Sequence, residues 1–147
     1  MEKLKIYMDN CCYNRPFDDQ SQQRICLETE AKLFIQADIR ANKYLMVWSY
    51  MLDIENKYNP YNEKRNAIEP WKKLAAEYCQ PSDDILSRGE KIMALGIRPN
   101  DALHLSCAIN NGCDYFITTD RVLLNKNIAS IKIRNPIDFI RETEGQP

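Results

Sequence analysis

The sequence is short of the residues that build zinc sites. Histidine occurs once, and the six cysteines, at positions 11, 12, 26, 79, 107 and 113, form no Cys-x-x-Cys pair and no Cys/His ligand pattern, which argues against zinc. A secretory context is missing as well. The opening residues MEKLKIYMDN are too polar for a signal-peptide core, so an even cysteine count in a chain of this length reads as reduced thiols and not as a disulfide framework. No apolar run is long enough to cross a bilayer, which excludes a membrane partner and leads us to expect a cytoplasmic protein. There is no excess of either charge: 20 Lys and Arg stand against 21 Asp and Glu, a net charge of -1. A nucleic-acid partner is therefore not announced by bulk charge, and its surface would have to be a local patch. Repeats and low-complexity segments are absent. What is present, 44% hydrophobic and 28% charged residues over 147 positions, fits one globular domain spanning residues 1–147.

Strand and helix patterns alternate along the whole chain. Leu4–Met8 is a short apolar run ending at Asp9, as expected of a buried strand. Residues 10–20, with Asn14, Arg15 and Pro16, read as a polar loop. A long helix is expected from about Ser21 to Asn42, then a strand over Tyr44–Trp48. Ser49 reads as the N-cap of a helix that Asn59-Pro60 stops. Tyr61–Cys79 reads as helical and broken at Pro70. Pro81-Ser82 opens another helix ending near Gly96. Asn100 is the expected cap of a helix over Asp101–Asn111, closed by Gly112. Tyr115–Thr118 and Ile131–Ile133 are the last strands, and Asn135-Pro136 starts a C-terminal helix. Strands separated by helices imply right-handed crossovers and a mainly parallel sheet covered on both faces. In such sheets the chemistry sits beyond the carboxyl ends of the strands.

That rule selects acids. Asp9 follows the first strand and Asp120 follows Tyr115–Thr118, so both project from one edge of the sheet. Glu55 lies about six residues beyond Ser49, roughly 9 Å along its helix. It shares a face with Met51 and Leu52 and leans back toward the strand ends. Asp53 points roughly 200° away and has Lys57 at i+4, so an exposed ion pair explains it. Asp101 starts the segment ALHLSCAI, which is apolar nearly all round and hence buried. The helix dipole favours an acid in a first turn, but it does not explain an acid opening a helix buried on every side. Four carboxylates in one cleft raise one another's proton affinity unless a divalent cation compensates. All-oxygen ligands suit Mg²⁺ or Mn²⁺, and such a cluster without a nucleophilic Ser or Cys arrangement points to phosphodiester hydrolysis.

These segments resemble the PIN-domain nuclease family and are similar to its VapC-like toxin ribonucleases. The family pattern is a strand ending in Asp, a strand-end Ser with Glu a few residues on, a helix opening D-A-L-H-L, and a strand ending T-x-D. Here these are IYMD ending at Asp9, WSYMLDIE ending at Glu55, DALHLSCA from Asp101, and FITTD ending at Asp120. The match runs in order over nearly the whole chain. The resemblance implies an α/β fold, a PIN-like three-layer sandwich whose central, mainly parallel sheet is flanked by helices. It implies Mg²⁺- or Mn²⁺-dependent cleavage of RNA, usually single-stranded, with Asp9, Glu55, Asp101 and Asp120 as catalytic and metal-binding residues. Thr118, from T-x-D, would orient a carboxylate, a water or a phosphate. Many small bacterial members are toxins of toxin–antitoxin pairs and form homodimers, so an antitoxin protein and a second copy are the implied partners. The chain departs from the family where many toxin members have Thr or Ser after the first Asp. Asn10 stands there, able to hydrogen-bond a metal-bound water or a neighbouring acid. Cys11-Cys12 and Asn14-Arg15-Pro16 are further departures.

Other polar residues read as structural. His104 shares a face with Asp101, yet a single histidine inside an apolar helix is expected to be a core residue. Glu28 and Glu30 lie on a helix running away from the strand ends and read as solvated or paired. Arg15 and Arg121 neighbour site acids in sequence and are the basic residues considered for phosphate contact. Residues 57–73 mix Lys and Arg with Tyr58, Tyr61 and Trp71, a composition that serves single-stranded RNA, an amphipathic helical pair with snorkelling lysines, or a dimer surface. Two other readings stay open: a non-catalytic PIN-fold binding or regulatory module, and a phosphotransfer domain using Asp9. For the latter, position 11 holds Cys where one such chemistry needs Asp.

Overall fold

The computed structural model describes residues 3–144. Its centre is a sheet of five strands in the order β3-β2-β1-β4-β5, every pair parallel. The strands are β1 (Lys5–Met8), β2 (Leu45–Ser49), β3 (Glu77–Cys79), β4 (Tyr115–Ile117) and β5 (Lys132–Arg134). The chain winds outward from β1 through β2 to β3, then crosses back to β4 and on to β5. The winding direction therefore reverses beside β1, the position in open parallel sheets where strand ends diverge and leave a crevice.

Eight α-helices among the described residues connect and cover the strands: α1 (Asn10–Asn14), α2 (Gln23–Arg40), α3 (Tyr50–Lys57), α4 (Asn62–Ile68), α5 (Asp83–Met93), α6 (Pro99–Asn110), α7 (Arg121–Leu124) and α8 (Pro136–Glu144). Period-two alternation assigns the faces. Tyr7 and Phe116 are register partners with stacked rings 5.4 Å apart, and Tyr7 meets His104 of α6 on the same face. Met46 and Trp48 on the opposite face meet Tyr13 of α1, and Tyr115 meets Phe139 of α8. Helices α5 and α6 pack together, as do α2 and α8. The result is the expected three-layer α/β sandwich. Gly89 of α5 permits one of these contacts, since a Cβ there would lie 3.1 Å from Leu103 of α6.

The local signals held where side chains cap helices. Ser49 accepts from the Leu52 amide and Ser82 from the Ile85 amide, and Asn135 accepts from the Asp138 amide. Gly112, at φ 71°, ends α6 in the left-handed region that glycine adopts without strain. All six cysteines are free thiols. No helix among the described residues is long and apolar enough to cross a membrane.

Four expectations need correction. Residues 10–20 are not an open loop: α1 and a 3-10 helix over Arg15–Phe17 occupy them, because Cys12 and Tyr13 are buried against the sheet. Tyr61–Cys79 is not helical throughout: Pro70 falls in a 3-10 helix over Glu69–Leu74, and Glu77–Cys79 add a strand at the edge of the sheet. The α6 helix starts earlier than expected, with Arg98 extended and Pro99 in the first turn, so Asn100 is not its cap. Asp53 does not depend on Lys57: it receives Trp48 Nε1 at 2.9 Å, Lys72 Nζ at 3.0 Å and the Tyr78 hydroxyl, which ties α3 to β2 and β3.

Glu28 is fully buried and held by Arg15, whose Nη2 and Nε donate to Oε1 at 2.8 and 3.1 Å while Nη1 pairs with Asp18. The Arg15 guanidinium is thereby committed to joining the start of the chain to α2. Removing it would leave the buried carboxylate with only the longer contact to Arg24, 3.6 Å from Oε2. Arg15→Ala should lower stability by about 2–4 kcal/mol, read by chemical denaturation. Adding Glu28→Gln should recover part of the loss, and divalent-cation binding should be unchanged.

Candidate metal centre

The carboxyl edge of β1 and β4 collects the acids. Asp9 continues β1, its amide donating to Ile117 O at 2.9 Å, and its side chain is 6% exposed. Oδ1 accepts from the Asn10 amide at 2.8 Å, and Oδ2 from the Thr118 hydroxyl at 2.9 Å and more loosely from the Cys11 thiol at 3.6 Å. Thr118 Oγ1 also accepts from the Asp120 amide at 3.1 Å. One hydroxyl therefore links the two strand-end acids. Asn10 Oδ1 is buried without a hydrogen-bond partner among the described residues.

Glu55 reaches the same place from α3, and a buried chain of polar groups holds it there. Its Oε1 lies 2.6 Å from His104 Nε2; His104 Nδ1 lies 2.5 Å from the Tyr7 hydroxyl, and that hydroxyl 2.6 Å from Ser49 Oγ. Tyr7, Ser49 and His104 are all fully buried. The ring is thus fixed at both nitrogens, and the fixed ring sets the position of the Glu55 carboxylate. The core role expected for His104 is half of what the structure places there. One edge of the ring is core, and the other faces the acids.

Asp101 and Asp120 complete the group through an arginine that the sequence did not single out. Arg98 Nη2 lies 3.3 Å from Asp101 Oδ2 and 3.1 Å from Asp120 Oδ2. The other oxygen of Asp120 caps α7, accepting from the Val122 and Leu123 amides. Its ordinary role as a cap and its place among the site acids therefore coexist. Glu55, Arg98, Pro99, Asn100 and Asp101 line an open cleft of about 460 Å³. Arg121 is exposed at the start of α7, and Arg15 is engaged elsewhere as described.

The electrostatics confirm that these groups sense one another. Burial pushes the Asp9 carboxyl above its ordinary value; His104 opposes this, Glu55 adds to it, and the Thr118 and Asn10 hydrogen bonds lower it in part. Burial likewise raises Asp101, as do the charges of Asp9 and Asp120, against Arg98 and His104. Burial disfavours the His104 imidazolium, but the Glu55 hydrogen bond and the charges of Asp9, Glu55 and Asp101 outweigh it, so the ring holds its proton above its ordinary range. Two carboxylates and an imidazole, from Asp9, Glu55 and His104, each offer a ligand atom within 4.8 Å of the others. The two carboxylates fit a divalent metal ion as they stand, and the imidazole would join them only as the neutral ring with Nε2 released from Glu55. The imidazole stands beside the acids, which an all-acid reading did not place there. The signal available for it was its position three residues after Asp101, one turn along a buried helix.

No family model matches the chain, and no curated protein matches it. Among solved structures it is similar to a chain of VapBC2 from Rickettsia felis, determined bound to a DNA fragment from the promoter. The superposition has a TM-score of 0.59 at 14% identity and covers 90% of this chain and 98% of that one. At this identity the likeness bears on the fold alone, and the shared fold agrees with the α/β sandwich around a parallel sheet that the sequence resemblance implied.

A carboxyl whose folded proton affinity is raised favours the fold only while protonated, and that contribution is lost as pH rises from the acid range through the raised value. At neutral pH the ionised Asp9 therefore weighs against the metal-free fold. Asp9→Asn should raise the melting temperature of the metal-free protein by about 2–4 °C, the effect of roughly 1 kcal/mol. It should also remove the further rise that Mn²⁺ gives the parent. A lowered melting temperature in chelator would show that Asp9 is not electrostatically strained.

Proposed function

We propose that this chain is a metal-dependent endoribonuclease, hydrolysing phosphodiester bonds of single-stranded RNA with Mg²⁺ or Mn²⁺ bound among Asp9, Glu55, Asp101, Asp120 and His104. The observation that carries this reading is the set of Asp9, Glu55 and His104 ligand atoms within 4.8 Å of one another at the carboxyl edge of a parallel sheet. A bound divalent cation supplies Lewis-acid chemistry there, neutralising charge on the phosphate and making water a better nucleophile.

The chain's own residues do the positioning. Thr118 and the Asn10 amide hold the Asp9 carboxylate, and Ser49 and Tyr7 hold His104, which holds Glu55. Such preorganisation removes the reorganisation that free carboxylates would undergo when binding a cation. Asp101 has its proton affinity raised by burial and by Asp9. That suits the Asp101 carboxylate to take the proton that an attacking water must lose.

The likeness to VapBC2 supports reading the chain as the toxin of a toxin–antitoxin pair, with an antitoxin protein as partner. Exposed Leu27 and Phe34, seven residues apart on one side of α2, supply an apolar face for that partner or for a second copy in a homodimer.

The test is cleavage of labelled single-stranded RNA, with the same sequence as DNA alongside, in Mn²⁺, in Mg²⁺ and in chelator. The parent should cut RNA only with metal, and Asp9→Asn or Asp101→Asn should lower the rate about 10²–10⁴-fold. A folded, metal-supplied parent that leaves RNA intact refutes the reading.

A further inference from the structure

Arg98 differs from the other arginines among the described residues. Arg15 is locked on buried Glu28, Arg134 on Glu142, and Arg65 on the Asn59 carbonyl. Only Arg98 touches two of the site acids, and its side chain is 74% exposed. It stands at the mouth of the cleft that Glu55, Asn100 and Asp101 also line. Pro99 in the first turn of α6 fixes where the helix begins, and so fixes Arg98 just ahead of Asp101.

The hold on Arg98 is weak in kind. Its contacts, at 3.1 and 3.3 Å, are made by an exposed side chain to carboxylates 18% and 23% exposed. Exposed ion pairs contribute little because solvent screens them and a long side chain loses freedom in making them. Both oxygens that Arg98 grips belong to carboxylates whose charge a divalent cation attracts more strongly than a single guanidinium does. The planar fork of Arg98 matches a phosphate with two parallel N–H donors.

We propose that Arg98 is a substrate-phosphate clamp gated by metal. In the metal-free protein it pairs with Asp101 and Asp120. When those carboxylates turn to a divalent cation, the guanidinium is released to bind a backbone phosphate of the strand in the cleft. The inference rests on the nuclease reading above and adds to it the residue that holds the substrate. It also explains how a chain of net charge -1 presents a cation to nucleic acid beside an acidic centre.

The experiment measures strand binding and metal binding separately on Arg98→Gln and Arg98→Lys. Binding of a fluorescein-labelled single-stranded RNA is followed by anisotropy in Ca²⁺, and Mn²⁺ binding by calorimetry without RNA. Arg98→Gln should weaken RNA binding about 10–100-fold. It should also reduce the slope of log affinity against log salt by about 0.7, the loss of one phosphate contact on a single strand. Mn²⁺ affinity should stay the same or tighten, because a competing cation is gone. Arg98→Lys should restore the salt slope but only part of the affinity. Unchanged RNA affinity and slope in Arg98→Gln overturns the proposal. So does a loss of Mn²⁺ affinity in step with RNA affinity, which would make Arg98 a support for the acids alone. A parent that binds Mn²⁺ and cuts RNA, with Arg98→Gln indistinguishable from it, sinks the clamp and leaves the nuclease reading standing. A parent that does neither sinks both.

Discussion

Repulsion among carboxylates gathered at one sheet edge is the constraint around which this molecule is arranged. Asp101 senses the charges of Asp9 and Asp120 through space, and Asp9 senses that of Glu55. A domain of this size has only a few kcal/mol of net stability, so such a cluster must be compensated. The compensation comes in three forms: hydroxyl and amide donors on Asp9, an imidazole between Glu55 and the core, and an arginine across Asp101 and Asp120. Each uses a different element, so the site ties α1, α3, α6 and β4 to the end of β1.

The imidazole is the deepest of these supports. Ser49 ends β2 and caps α3, and the same hydroxyl oxygen meets Tyr7 of β1. Tyr7 stacks on Phe116 of β4 and reaches His104 of α6. A polar chain buried this completely is tolerated only when its members satisfy one another. It transmits the position of the central strands to a carboxylate on a helix. The core face of the sheet and the position of Glu55 are therefore not independent properties.

Acids outside the site show the contrast. Glu28 is more deeply buried than any site acid, yet Arg15 neutralises it at short range and Arg24 stands behind at 3.6 Å. Asp53 sits two residues from Glu55 and is saturated by Trp48, Lys72 and Tyr78. Both carboxylates have fixed partners and serve the packing. Among the site acids, Asp101 and Asp120 share one exposed arginine, Glu55 meets the buried imidazole of His104, and Asp9 has only hydroxyl, thiol and amide donors.

Much of this was legible in the residues. Apolar runs that end in Asp9 and just before Asp120, a Ser cap before Glu55, and an all-apolar helix behind Asp101 are local patterns, and local patterns report strand ends and buried faces directly. The alternation of strand and helix likewise specified a parallel three-layer sandwich. Short elements were not legible. Helix α1 and strand β3 have too few residues for a period to emerge, and they exist because the sheet buries Cys12 and Tyr13 and offers β2 a neighbour. The contacts of His104 and Arg98 were not legible for a related reason. Sequence spacing ranks an isolated histidine as core and an exposed arginine as solvent. What distinguishes them is contact with Glu55 on α3 and with Asp120 beyond β4, across separations of 49 and 22 residues. The sequence by itself determined which acids reach the carboxyl edge, because strand direction and helix phase are set within a few residues. Only the tertiary structure decided which partners those acids have, because Coulomb and hydrogen-bond terms depend on distances that folding alone creates.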